Sequence, residues 1–179
     1  MEGYKTMGTK RVGLARTQAL IQGLKRELTA GSAKIRLFES NQPQPQTYVF
    51  KWDYDNDTAT VAEHTLKNPD AKGMSLPIGF VITGGWLEVV TAVTSGGSAT
   101  LEVGTKGTSD DPNGFVTSIG KASLTVNSVH PFDGALAHNT TAAGRRVRTT
   151  ACPVSITIGT AALTAGKFYV YVQGYQSLG

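Results

Sequence analysis

The chain has 179 residues, of which 40% are hydrophobic and 17% charged, with 21 glycines and one cysteine. This length supports one hydrophobic core, and the few charges and many glycines favour short strands and tight turns over a helix-rich enzyme. A lone cysteine excludes an internal disulfide, and there is no uninterrupted run of about 18 apolar residues that would predict a membrane span. The N-terminus lacks the apolar region of a signal peptide, so we expect synthesis in a cytoplasm.

The positive charge is concentrated near the N-terminus. Residues 1–40 carry a net charge of +5, whereas the rest of the chain carries −1. Within this segment, heptad-like apolar spacing over about residues 9–30 predicts an amphipathic helix. Its apolar stripe and its basic residues are Leu14, Arg16, Ile21, Leu24, Lys25, Arg26 and Leu28. Because such a helix is marginal alone, we expect these residues to bind an acidic partner surface.

A composition change separates this arm from the rest of the chain. Residues 41–46 read Asn-Gln-Pro-Gln-Pro-Gln, through which a helix cannot continue. The sequence therefore predicts an arm at residues 1–46, ending in a linker, and one β domain at residues 47–179.

The β domain shows short strand patterns separated by turn residues. The predicted strands cover residues 48–52, 58–64, 81–82, 86–93, 99–103, 115–119, 123–126, 152–158 and 168–172. The first two, joined by an Asp-rich turn, predict a hairpin, and residues 130–150 predict a long surface loop. Clean alternation predicts that Leu101 and Ile156 face the core and that Cys152 is buried. We expect an all-β sandwich, jelly-roll-like in preference to an immunoglobulin-like one.

The residues that could carry chemistry do not form a coherent site. The three histidines lack metal-ligand spacing, and no nucleophile elbow occurs. Asp53, Asp55 and Asp57 resemble the opening of a calcium loop, but Thr58 stands where the bend requires glycine. Glycoside hydrolysis needs paired carboxylates in a groove, whereas the candidates Glu63, Glu88 and Glu102 are predicted at outward strand positions. We therefore expect no catalytic residue, metal or cofactor.

Two groups of residues suggest contacts with other molecules. Arg145, Arg146 and Arg148 lack interleaved aromatics, which favours a contact with a neighbouring subunit over nucleic acid. Trp86 and Trp52, with Tyr169, Tyr171 and Tyr175, could form a sugar-stacking platform, but Trp86, Tyr169 and Tyr171 equally suit a subunit interface. Because aromatics occupy both parities of residues 168–172, a covered face at a subunit interface is the favoured interpretation.

Several segments resemble virion structural proteins of tailed bacteriophages, particularly those of cyanobacterial and marine hosts. They are residues 76–90 (LPIGFVITGGWLEVV), residues 98–104 (SATLEVG), residues 111–115 (DPNGF) and the closing residues 165–172 (AGKFYVYV). Residues 16–28 (RTQALIQGLKREL) are similar to an N-terminal segment found on several phage virion proteins whose downstream domains differ. The resemblance implies a capsid decoration or cement protein, or a head fibre, without catalytic residues.

The resulting hypothesis is a decoration protein on the exterior of a phage head, made in the host cytoplasm. It would bridge major capsid subunits through its arm, and the threefold positions of shells favour a trimer. The alternative is a head-fibre or tail-associated attachment protein whose β domain binds host surface glycans, using the surface around Trp86 and the loop at residues 130–150. Neither hypothesis requires a membrane.

Overall fold

The computed structural model describes residues 45–106, 111–138 and 150–177, together with Gln18. Nine strands account for nearly all the regular structure of these residues. They are β1 (Pro45–Asp53), β2 (Glu63–Thr65), β3 (Ser75–Leu76), β4 (Phe80–Ser95), β5 (Thr100–Thr105), β6 (Asp111–Gly120), β7 (Val129–Pro131), β8 (Cys152–Gly159) and β9 (Leu163–Gln176). A 3-10 turn at Lys121–Ser123 and a short helix at Ala135–His138 complete them.

The strands form two antiparallel sheets. The first sheet has the order β1-β9-β4-β7, and the second has the order β2-β8-β5-β6, with β3 also paired to β8. Strands that follow each other in the chain mostly lie in different sheets, so the chain passes repeatedly from one sheet to the other. The predicted all-β class is confirmed.

One hydrophobic core joins the inner faces of the two sheets. The first sheet contributes Phe50, Leu87, Phe168, Val170 and Val172, and the second contributes Leu101, Val103, Val154, Ile156 and Ile158. The predicted inward parities of residues 99–103 and 152–158 are confirmed, as is the burial of Cys152. At one end of the core the ring of Trp52 stacks on Phe168 at a centroid distance of 5.3 Å. Its indole N–H donates to the carbonyl of Thr58 at 3.3 Å, which satisfies the one polar group of this side chain.

The predicted hairpin between residues 48–52 and 58–64 is wrong. β1 pairs along its whole length with β9, at the other end of the chain, and β2 is a short strand paired with β8 in the second sheet. Local turn residues indicated the reversal correctly, but the nine-residue pairing with β9 determines where β1 lies. The Asp-rich turn therefore leads from one sheet to the other.

Three further differences concern β4 and the segments around β7. β4 runs through Gly84 and Gly85, which were predicted to divide two strands. A Cβ on Gly85 would overlap the carbonyl oxygen of Tyr171 and the ring of Phe132, so close packing requires this glycine. Residues 123–126 contain no strand, and the predicted loop at residues 130–150 includes part of β7 and the short helix.

The predicted arm falls almost entirely outside the described residues. Gln18 has helical backbone geometry, and the arm residues Leu14, Arg16, Ile21, Leu24, Lys25, Arg26 and Leu28 stay predictions. β1 begins at Pro45, so the last two residues predicted as linker belong to this edge strand. An edge strand accommodates proline at its first position because no ladder hydrogen bond is lost there. Within the described ranges, no helix has the length and apolar character needed to cross a bilayer.

Candidate functional site

The outer face of the first sheet carries an aromatic and aliphatic band, which we call the aromatic face. The strand register places its side chains in two rows that cross all four strands in the order β7, β4, β9, β1. The first row is Pro131, Trp86, Tyr171 and Val49, and the second row is Val129, Glu88, Tyr169 and Lys51. The flanking polar positions on β9 are Gln173 and Lys167. An apolar centre with polar margins is the usual anatomy of a protein interface.

The sequence-predicted contact residues Trp86, Tyr169 and Tyr171 meet on this face. The rings of Trp86 and Tyr171 stack with centroids 4.9 Å apart and an interplanar angle of 18°, and Tyr169 lies 6.4 Å from Tyr171. All three are half-buried, whereas Val129 beside them is 57% exposed. Because stacking occupies one face of the Trp86 ring and one face of the Tyr171 ring, these faces are withdrawn from any sugar.

Glu88 is the acidic residue in the two rows of the aromatic face. Burial raises the pKa of Tyr171, and a hydrogen bond to the Glu88 carboxylate raises it further. The phenol is therefore a proton donor at neutral pH, and the carboxylate of Glu88 is the acceptor. This contact orients Glu88 while leaving it half-buried at the surface.

Lysines gather at the β1 end of the face around Asp53. The carboxylate of Asp53 lies 3.3 Å from the Nζ of Lys167 and 3.8 Å from the Nζ of Lys51. Burial by itself raises the pKa of Asp53, but the hydrogen bond and charge of Lys167, together with hydrogen bonds from the Asp55 backbone and the Asn56 side chain, outweigh burial and hold the pKa below its ordinary value. Asp53 correspondingly raises the pKa of Lys167. The group is an ion cluster with one more positive than negative charge.

Two of the three carboxylates that resembled a calcium loop, those of Asp53 and Asp57, already have partners. Asp57 accepts a hydrogen bond from the Nζ of Lys67 at 2.6 Å and another from the backbone N–H of Asp53 at 3.0 Å. Asp53 faces the two lysines and accepts from the N–H of Asp55 at 3.4 Å. These contacts fold the turn onto itself. Across the parts of the chain that the structure describes, no three His, Cys, Asp or Glu side chains are grouped to hold a metal.

The remaining residues singled out in the sequence do not belong to the aromatic face. His64 and His130 contact backbone carbonyls, those of Thr60 at 2.7 Å and Ser123 at 3.1 Å. Glu63 and Glu102 lie on the second sheet, each opposite Thr157, so they do not meet Glu88 on the first sheet. Arg145, Arg146 and Arg148 are outside the described residues.

Sequence reasoning missed four members of the aromatic face. Val49, Lys51, Val129 and Pro131 reach it through pairings between strands distant in the chain. The alternation along β9 places Tyr169 and Tyr171 on one face, but no local signal identifies which strands flank β9.

Comparison with solved structures finds phage capsids. The chain matches a chain in the capsid asymmetric unit of cyanophage Pam1 with 17% identity and a TM-score of 0.50, covering 76% of this chain and 87% of that one. It also matches chains in the capsid of Ralstonia phage GP4 (18% identity, TM-score 0.43, 76% and 85% covered) and in the acid-stable capsid of Helicobacter pylori bacteriophage KHP30 (15%, 0.47, 75% and 93%). No protein-family model matches the sequence, and no curated protein is significantly similar to it. The resemblance to phage virion proteins seen in the sequence thus extends to the fold, which this chain shares with a component of the cyanophage Pam1 capsid structure.

Proposed function

We propose that this chain is a structural component of a phage virion, a decoration protein that binds the exterior of the head and bridges major capsid subunits. The observation that carries the proposal is the fold shared with a chain of the cyanophage Pam1 capsid asymmetric unit over 76% of the present sequence. The sequence resemblance to virion proteins supports it independently. Binding, without catalysis, is the proposed mechanism.

The strand order supports a jelly roll as the framework. β2 and β3 both pair with β8 and together count as one position, so the chain has eight positions. The pairs are β1 with β9, β2 and β3 with β8, β4 with β7, and β5 with β6. This nested pairing is expected when a long hairpin folds over into two sheets, as in the jelly rolls of viral capsid proteins. The fold then presents two broad sheet faces for contacts.

In this proposal the basic arm is the anchor. The predicted stripe of Leu14, Ile21, Leu24 and Leu28 would bury apolar surface against the shell, and Arg16, Lys25 and Arg26 would complement acidic capsid residues. We propose contacts between copies at the aromatic face and at Arg145, Arg146 and Arg148. A trimer is the proposed oligomer because it matches a threefold position of the shell.

The alternative of a glycan-binding head fibre or tail protein is less well supported. A sugar platform needs free aromatic ring faces, whereas Trp86 and Tyr171 each use one ring face on the other. Their arrangement favours contact with protein.

Co-sedimentation with heads that lack the protein tests the proposal. The full chain should pellet with heads at saturating, countable stoichiometry, and removal of residues 1–30 should abolish or greatly weaken binding while circular dichroism still shows a folded β domain. The triple variant Arg16→Glu, Lys25→Glu and Arg26→Glu should bind in a more salt-sensitive and weaker way. Full occupancy by the truncated chain would overturn the role of the arm. Failure of the full chain to bind heads would overturn the proposed function.

A further inference from the structure

The part of the aromatic face on β4, β9 and β1 is arranged symmetrically about β9. In the first row, Tyr171 lies between Trp86 on β4 and Val49 on β1, and in the second row, Tyr169 lies between Glu88 and Lys51. Neighbouring strands are about 4.8 Å apart, so Glu88 and Lys51 stand about 10 Å apart on either side of Tyr169. In each row the tyrosine therefore lies between two unlike but complementary side chains, and a β7 residue extends the row beyond β4.

This arrangement is complementary to itself. A twofold axis parallel to β9, lying above the tyrosines, brings a second copy face to face with the first. Each tyrosine then meets the same tyrosine of the second copy, and Trp86 meets Val49. Glu88 of each copy meets Lys51 of the other, so the operation forms the same ion pair twice.

We propose that the aromatic face is a twofold contact between two copies of this chain, with the axis along β9 and with Glu88 of each copy paired to Lys51 of the other. The occupant of the face is thus a second copy. Charge complementarity identifies it: the two rows hold one acidic and one basic residue, placed at equal distances from the symmetry axis.

The surroundings of the rows are compatible with this contact. Lys167 lies on the axis strand, where two like charges would approach, but its Nζ is directed to Asp53 at 3.3 Å. Lys51 has a longer contact, 3.8 Å, with the same carboxylate, and in the proposed contact its ammonium group is shared between Asp53 and Glu88 of the second copy. Val129 and Val90, which are 57% and 42% exposed, extend the apolar surface on the β7 side. Two sheets that pack face to face with nearly aligned strands bury side chains of this kind between them.

The inference rests on the surface of the β domain and does not depend on the proposed virion function. If both hold, the twofold contact joins copies that belong to neighbouring threefold positions, since twofold axes relate such positions on an icosahedral shell. The decoration proteins would then contact each other as well as the capsid.

Charge-reversal variants of the purified full-length chain, whose self-association is measured by sedimentation equilibrium, test the contact. Sedimentation equilibrium should show self-association of the wild-type chain, and Glu88→Lys and Lys51→Glu should each weaken it by about tenfold or more, since like charges then face each other twice. An equimolar mixture of the two variants should regain affinity to within about threefold of wild type, because both pairs become complementary again. Glu102→Lys, the same reversal on the second sheet, should leave self-association unchanged. A mixture that associates as weakly as its components would overturn the proposal.

A cysteine on the axis gives a second test that does not depend on charge. Tyr169→Cys places a thiol opposite its own copy across the proposed axis, whereas the native Cys152 is only 2% exposed. Facing sheets lie about 10 Å apart, beyond the span of a direct disulfide. A short bis-maleimide, which adds one thiol to each of its two C=C bonds, should link two copies of Tyr169→Cys and should not link Ser118→Cys on the second sheet. Equal melting temperatures of the variants and the wild type confirm folding. Absence of the Tyr169→Cys dimer, or equal yields from both variants, would contradict the twofold axis.

Discussion

The two faces of β9 carry similar apolar character but differ in what covers them. Phe168, Val170 and Val172 point inward, are fully buried and pack against the second sheet. Tyr169 and Tyr171 point outward, are half-buried and contact neighbours on their own sheet. A strand that is apolar on both faces is expected where both faces are covered. Among the described residues, the second sheet covers the inner face, and we infer that a second molecule covers the outer one.

The largest difference between the faces should appear when each receives a charge. Val170→Asp should unfold the β domain, because an unpaired carboxylate in the core costs several kcal/mol, on the order of 4. Tyr171→Asp should keep cooperative melting and lose about 1 kcal/mol with the Trp86 stack. Thermal and urea denaturation measure both. A soluble, cooperatively melting Val170→Asp variant would show that the inner face of β9 is wrongly assigned.

A smaller effect is expected where β4 packs against β9. Gly85→Ala should destabilise the domain by about 2–3 kcal/mol, because the new methyl group would overlap the carbonyl of Tyr171 and the ring of Phe132. Gly84→Ala is the matched control, since a Cβ there meets nothing within 4 Å. The free energies of unfolding of the two variants should differ clearly. Equal values would mean that β4 and β9 do not approach as described.

The smallest effect concerns the charged end of the outer face. Because the pKa of Asp53 is lowered in the folded state, the stability it contributes is present above its unfolded pKa and is lost as the pH falls below about 4. Asp53→Asn should therefore be less stable than wild type at pH 7, and the difference should shrink toward pH 3. Lys67→Met, which removes the partner of Asp57 instead, is a control for loss of a surface ion pair. A difference that stays constant with pH would contradict the ion cluster around Asp53.

The core side of β5 and β8 was more predictable from the sequence than the outer face of β9. Alternation of apolar and polar residues places Leu101, Ile156 and Cys152 in the core without knowledge of the topology, and the structure confirms this. The pairing of the strands could not be predicted in this way. β1 pairs with β9, more than 100 residues away in the sequence, whereas the local turn residues predicted a hairpin with residues 58–64. Trp86, Tyr169 and Tyr171 could be recognised as contact residues by type, whereas the pairing of Glu88 and Lys51 about Tyr169 depends on register.

The glycine pair in β4 illustrates why local signals fail at long strands. Two adjacent glycines usually mark a turn, and the sequence predicted a break there. In the structure the strand continues, with a register shift between Ile82 and Gly84, because the backbone of β9 and the ring of Phe132 leave no room for a side chain at Gly85. The glycine pair correctly indicated an unusual backbone position. The reason for glycine at Gly85, however, is its packing against Tyr171 and Phe132, which are distant in the sequence.

Electron cryo-microscopy of intact virions, compared with virions that lack the gene for this chain, tests the central claim most directly. The proposed function predicts difference density for a two-sheet β domain on the outer surface of the head, bridging neighbouring major capsid subunits. Pairs of domains facing each other through their first sheets would add support for the twofold contact. Difference density confined to the tail or its fibres, or no difference density at all, would contradict the account.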